Sequence, residues 1–164
     1  GLGFWWALHA LHHSQREMTF WTDDRNHLLD MVLTDLVLAV VALAIGVAPG
    51  QFVAIVAVSR ALESLAHANV RLSFGRVGEW LLVSPRFHRV HHAIGLGHEG
   101  ERLGCNFAVL FPLWDILGGT ARFDPPQAPI EPTGIRDQLA GRDYGRGFWA
   151  QQWLGLRRLV DREA

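Results

Sequence analysis

His9, His12 and His13 form the pattern H-x-x-H-H, and His88, His91 and His92 form it again. On a helix, positions i, i+3 and i+4 share one face, so each triplet aims three imidazoles at nearly one spot. Imidazoles packed together are costly in apolar surroundings unless something uses their lone pairs. A transition metal does so, and imidazole suits iron, zinc, copper and nickel. Random placement of this chain's histidines would give about 0.03 copies of the pattern, so two copies read as a metal site rather than a chance surface cluster.

Other candidates surround the triplets. His67 is an interior hydrogen-bonding histidine when taken alone, and a further ligand when placed beside two clusters. His98 lies in the glycine-rich stretch Gly97-His98-Glu99-Gly100; it either moves protons or touches substrate as a tentative catalytic residue, or is an ordinary loop histidine. Asn106 and Asp115 are placed to orient ligand imidazoles through ring N–H contacts, since ligating histidines need such acceptors. Asp115 equally suits a local backbone cap. His27 follows a turn and reads as a helix-start polar contact. Cys105, the single cysteine, rules out an internal disulfide and reads as packing more than ligation. Trp5, Trp6 and Trp114 read as interface packing.

The elements that must carry these residues follow from periodicity. Phe4, Trp5, Leu8 and Leu11 recur at helical spacing, and Asp23-Asp24-Arg25-Asn26 reads as a turn. Met31 to Ala48 is apolar apart from Thr34 and Asp35, and at about 1.5 Å per residue it measures about 27 Å, just enough to cross a bilayer core. Pro49-Gly50 breaks that run, and Gln51 to Ala66 is apolar until Arg60 and Glu63. The pair predicts a helical hairpin over about 28–66, in a membrane or, less demandingly, buried in a soluble helical protein. Arg16, Arg25, Arg60, Arg71 and Arg76 flank its open end, whereas the turn is uncharged. The positive-inside bias puts the open end, with both triplets and His67, on the cytoplasmic side.

Beyond the hairpin, a helical pattern resumes over 77–92 with a break at Pro85, then comes the glycine-rich loop, then Phe107 to Leu117. Residues 124–134 read as an extended proline-rich connector. From Gly147, Phe148, Trp149, Trp153, Leu156, Leu159 and Val160 alternate with Gln151, Gln152, Arg157, Arg158 and Asp161, an amphipathic helix for a membrane surface or for closing over the domain.

Composition agrees with a chain that is part membrane-facing. Apolar residues make up 49%, yet mean hydropathy is only +0.12. The formal net charge is −1, which argues against nucleic acid as a partner. The sequence opens at Gly1 without Met or a signal-peptide pattern, as expected of an N-terminally truncated fragment.

The strings Trp6-Ala-Leu-His9-Ala-Leu-His12-His13-Ser14, His67-Ala-Asn69-Val70-Arg71, Phe87-His88-Arg-Val-His91-His92 and Trp114-Asp115-Ile-Leu-Gly-Gly-Thr120 together resemble the fatty acid hydroxylase/sterol desaturase superfamily. The resemblance covers about residues 4–122. It implies an all-α fold in which an integral membrane hairpin bears a cytoplasmic helical cap with a histidine-box di-metal site. Residues 1–122 would form the partial family domain, and 123–164 the connector and C-terminal helix. The implied ligands are His9, His12, His13, His67, His88, His91 and His92. Glu63 stands where some members have another histidine; it would ligate as a carboxylate or support the ligands from behind, as would Asn69, Asn106 and Asp115. An earlier H-x-x-x-H box is absent, so the chain alone would be inactive or weakly metallated.

The implied function is a membrane-bound, non-haem oxidoreductase using two iron ions and dioxygen to hydroxylate or desaturate a sterol, fatty acyl or related lipid C–H bond. Zinc can replace iron in such a protein as isolated. A ferredoxin, or a small cytochrome with a reductase, would supply electrons, and a bacterial inner membrane would be the setting. The rivals are a metal-handling membrane protein and a zinc hydrolase. The first predicts polar residues along the spans, which are scarce, and the second a general base such as the Glu of H-E-x-x-H, which is absent.

Overall fold

The computed structural model describes residues 3–100, 104–125 and 127–161. The start of the first expected helix, residues 101–103 of the glycine-rich loop, Pro126 of the connector and residues 162–164 lie outside them. Among the described residues the chain is all-α, with α1 (Gly3–His13), α2 (Leu28–Ala44), α3 (Pro49–His67), α4 (Gly75–Leu81), α5 (Pro85–His91), α6 (Leu113–Gly118) and α7 (Phe148–Val160). Short 3-10 helices cover Phe20–Asp24 and Arg136–Ala140. The chain divides into two compact units.

The first unit contains residues up to His12, Arg25–Ala61 and the chain from Asp143 onward. Its α2 begins on His27, as the sequence suggests. The His27 Nδ1 accepts from the Leu29 amide at 3.1 Å, while its Nε2–H donates to the Gln152 carbonyl at 2.9 Å. Gln152 completes the junction by accepting from the Leu28 amide at 2.8 Å and donating to the Asn26 carbonyl at 3.3 Å. The cap thus joins α2 to α7. Gly155 makes that approach feasible, because a Cβ there would lie 2.3 Å from the His27 Cδ2. Gly155→Ala should therefore cost about 1–3 kcal/mol by overpacking, read as a lower thermal midpoint.

The expected break at Pro49-Gly50 moves. α2 ends at Ala44, the turn uses Gly46 at φ 81°, and Pro49 opens α3. A left-handed turn residue suits glycine, and proline is favoured in a helix's first turn, so the sequence is locally consistent with this shift. At 17 residues, α2 is only about 25 Å long at 1.5 Å per residue. No helix among the described residues is long and apolar enough to cross a membrane, so the expected spanning hairpin is not seen. A hairpin does form: Arg60 of α3 donates to Asp35 of α2 at 3.1 Å.

This unit buries Leu8 and Leu11 of α1 together with several polar side chains, and it exposes many apolar ones. Its buried side chains include His27, Asp30, Gln152 and Arg158, whereas Val32, Leu36, Val40, Leu43, Val53 and Val58 are exposed. α7 is amphipathic as expected, and of the two expected uses its outward apolar face fits a surface helix rather than one closing over the domain. Gln152, Gly155 and Arg158 face inward, and Phe148, Trp149, Trp153 and Leu156 face outward. Arg158 donates to the Ala7 carbonyl at 3.3 Å, with its guanidinium 4.4 Å over the Tyr144 ring. Periodicity defines two faces of a helix but does not say which one is buried.

The second unit comprises His13–Asp24 and Leu62–Arg142. Its small apolar core is Ala66, Val83, Phe87 and Ala108. Ser84 caps α5 by accepting from the Phe87 amide at 3.1 Å, and Pro85 follows at the first helical position. The connector is not merely extended. Ile94 donates to the Pro132 carbonyl and Gly134 to the His92 carbonyl, at 3.0 and 3.1 Å, around an antiparallel bridge between Ala93 and Thr133. Residues 107–112 are irregular, and only Leu113–Gly118 of the expected stretch is helical.

Candidate metal centre

α3 and α5 bring the second triplet to His67. Ring nitrogens of His67, His88 and His92 lie within 4.8 Å of one another, and all three residues are buried. The His88 Nε2 is 3.1 Å from the His67 Nε2 and 3.2 Å from the His92 Nε2. Facing imidazole lone pairs at that distance repel unless a proton or a cation lies between them. Bonds of about 2.1 Å to a common ion place neighbouring ligand nitrogens about 3.0–3.4 Å apart for right-angle to tetrahedral geometry. The three nitrogens therefore fit one transition-metal ion.

A second group adjoins the first. The His13 ring stacks on His92 with centroids 4.4 Å apart, and meets His91 at 4.7 Å and His98 at 4.5 Å edge-on. His91 is oriented from behind: its Nδ1–H donates to the Cys105 carbonyl at 3.0 Å, leaving Nε2 with the lone pair. The loop supplying that carbonyl passes very close to α5. A Cβ on Gly97 would sit 1.7 Å from the His91 carbonyl oxygen. The Cys105 thiol is half-buried, and burial raises its pKa. That disfavours thiolate and agrees with packing rather than ligation.

Of the remaining expected ligands, His9 and His12 belong to the first unit. His12 is buried and His9 partly exposed, with ring centroids 5.3 Å apart. The His9 Nδ1 is 2.9 Å from the Asp30 carboxylate, which is itself buried. His27 caps a helix. His98 is nearly buried beside His13, with its Nε2 3.9 Å from the Glu99 carboxylate.

The supporting residues have more specific roles than the sequence suggests. Glu63 meets the His67 Nδ1 through its backbone carbonyl, at 2.8 Å. Asn69 accepts from both Nη atoms of Arg89, at 3.0 and 3.2 Å. Asn106, fully buried at φ 57°, donates to the Phe87 and Arg122 carbonyls and accepts from the Arg122 amide, so it ties the loop to α5. Asp115 takes the capping role: its carboxylate accepts from the amides of Phe107 and Ala108 and from the Thr120 hydroxyl. These contacts of Asn69, Asn106 and Asp115 go to backbone and side-chain groups other than imidazoles. The carboxylates beside His67 and His9 are Asp23, which falls in the expected turn, and Asp30, which the sequence does not single out. No local spacing distinguishes them.

Comparison with known proteins agrees with this arrangement. The fatty acid hydroxylase model matches residues 2–120. The chain belongs to the fatty acid hydroxylase family. It is 30% identical over 146 residues to the ornithine lipid hydroxylase OlsE of Rhizobium tropici, an alignment covering 89% of this chain and 41% of that protein. The chain thus spans about two fifths of the length of this curated relative. No solved structure matches it. For a member of this family, a buried histidine cluster suited to transition-metal binding is the expected core of the site.

Proposed function

We propose that the protein works as a membrane-bound, dioxygen-dependent di-iron oxidoreductase that hydroxylates or desaturates a lipid C–H bond. The observation that carries this is the buried His88 Nε2, 3.1 Å from the His67 Nε2 and 3.2 Å from the His92 Nε2, within a fatty acid hydroxylase family member. His67, His88 and His92 would hold one iron, and His13 and His91 beside them would serve the second.

When bound, the irons supply activation of dioxygen for attack on an unactivated C–H bond, with electrons from a ferredoxin or small cytochrome. The chain's own residues hold the ligand nitrogens in place. The Glu63 and Cys105 carbonyls fix the Nδ1–H tautomers of His67 and His91, turning each Nε2 toward the site. His98, beside His13, is positioned to pass a proton. The relative's name identifies ornithine lipid as its substrate, and an ornithine lipid is the first substrate to try here.

The outward apolar surface of the first unit supports membrane association. The α2–α3 hairpin and the aromatic face of α7 would sit among acyl chains, with polar groups turned inward.

Metal analysis of the full chain in detergent tests this reading. About two irons per chain are expected, with oxygen uptake that requires both reductant and lipid. Because a ligating imidazole nitrogen must be deprotonated, metal should be lost on acidification. Iron retained at about pH 4–5 argues against histidine ligation. Zinc content without oxygen uptake, even after iron reloading, rejects the oxygenase reading.

A further inference from the structure

The geometry points to Asp23 as a positioning residue for the metal site, acting through the His67 imidazole. Asp23 lies in the 3-10 helix Phe20–Asp24 and is buried, at 4% exposure. Its Oδ2 accepts from the Ser64 hydroxyl at 3.0 Å, one turn before His67 on α3. Its Oδ1 lies 3.3 Å from the His67 Nδ1. The same Nδ1 is 2.8 Å from the Glu63 carbonyl.

A carbonyl and a carboxylate can only accept, so Nδ1 carries the proton and shares it between them. The ring is then the Nδ1–H tautomer, with its lone pair on Nε2, the atom that faces His88. The carbonyl alone would fix this tautomer. What Asp23 adds is negative charge. A buried carboxylate behind the ring makes Nε2 a stronger donor to a cation and offsets part of the ion's charge in a low-dielectric interior. Ser64 holds the carboxylate in register. A carboxylate needed only to anchor the 3-10 helix could spend its hydrogen bonds on backbone amides, as Asp115 does; one oxygen of Asp23 is instead directed at a ring.

This inference rests on the proposed histidine metal site, and the test separates the two. The probe is Co²⁺ binding to the full chain, read as a dissociation constant by chelator competition and as the visible d–d spectrum, with helix content by circular dichroism. Asp23→Asn keeps the shape and an accepting oxygen but removes the charge. It should weaken Co²⁺ binding about 10–100-fold at unchanged helix content and shift the d–d bands. Ser64→Ala keeps the charge and removes only the anchor, so it should stay within about threefold of wild type. Asp23→Glu should recover most of the affinity.

Wild-type affinity in Asp23→Asn overturns the role of Asp23 while leaving the metal site standing. Equal losses in Asp23→Asn and Ser64→Ala also overturn it, in favour of a structural anchor. A wild-type chain that binds no Co²⁺ overturns both readings. If Asp23→Asn loses its helical signal, ¹⁵N spectra of the Zn²⁺-loaded wild type decide. The proposal requires an Nδ1 proton on His67 shifted downfield as in carboxylate hydrogen bonds, and its absence overturns it.

Discussion

His88→Ala should remove one metal ion from the protein and, on the proposed function, abolish oxygen-dependent turnover. The expectation follows from where the His88 Nε2 lies. It is the common partner of both short contacts, 3.1 Å from His67 and 3.2 Å from His92, so its removal takes away the middle donor of three. Two histidines remain, a set that holds a divalent ion much more weakly. His88 sits in the last turn of α5, whose N-terminal cap is made by Ser84 and Pro85, so the helix should survive the change. Metal per chain, measured beside helix content, separates loss of a ligand from loss of fold. Retention of two irons per chain by folded His88→Ala would sink the assignment of this residue. His27→Gln is the informative contrast. His27 has both ring nitrogens committed, to the Leu29 amide and the Gln152 carbonyl, so its replacement should lower stability while leaving metal content unchanged.

The clustering of His88 and His92 was legible because histidine spacing on a helix is a local property. His88, His91 and His92 need only α5 and its cap to share a face, and the pattern H-x-x-H-H states that directly. The meeting with His67 was also within reach, since a hairpin returns α3 toward the start of α5. Other features depend on long-range pairing and left no local trace. Asp23 reads as one of several polar residues in a turn; its value comes from Ser64 and His67, more than forty positions away. Asp30 looks like an ordinary first-turn acid until His9 faces it. The orientation of α7 was hidden for a different reason. Burial of Gln152 and Arg158 is stabilised by His27, the backbone at Asn26 and Ala7, and the Tyr144 ring, none of which hydrophobic periodicity can reveal. The placement of the hairpin turn was recoverable, because Gly46 marks a left-handed position three residues before the proline.

Asp115→Ala should be the most destabilising single substitution in the second unit, at about 3–5 kcal/mol. Its carboxylate is 2% exposed and accepts three hydrogen bonds, from the Phe107 amide at 2.9 Å, the Ala108 amide at 2.7 Å and the Thr120 hydroxyl at 2.6 Å. Each bond to a charged acceptor contributes about 1.5–3 kcal/mol, and truncation also leaves two amides near the core without their acceptor. For a chain of this size, that loss lowers the thermal midpoint by about 6–20 °C. The effect should reach the metal site through a traceable route. Asp115 fixes Phe107 and Ala108, Asn106 just before them ties the loop to Phe87 of α5, and Cys105 one residue earlier orients His91. Loosening this run frees the carbonyl that sets the His91 tautomer, so metal affinity should fall together with stability. Asp115→Asn retains one accepting oxygen but presents an amide donor where an acceptor is needed, so it should fall between wild type and alanine on both scales. A melt in which Asp115→Ala matches wild type within about 1 kcal/mol would contradict the capping role. A melt that falls while metal affinity holds would restrict that role to stability and break the proposed link from Asp115 to His91.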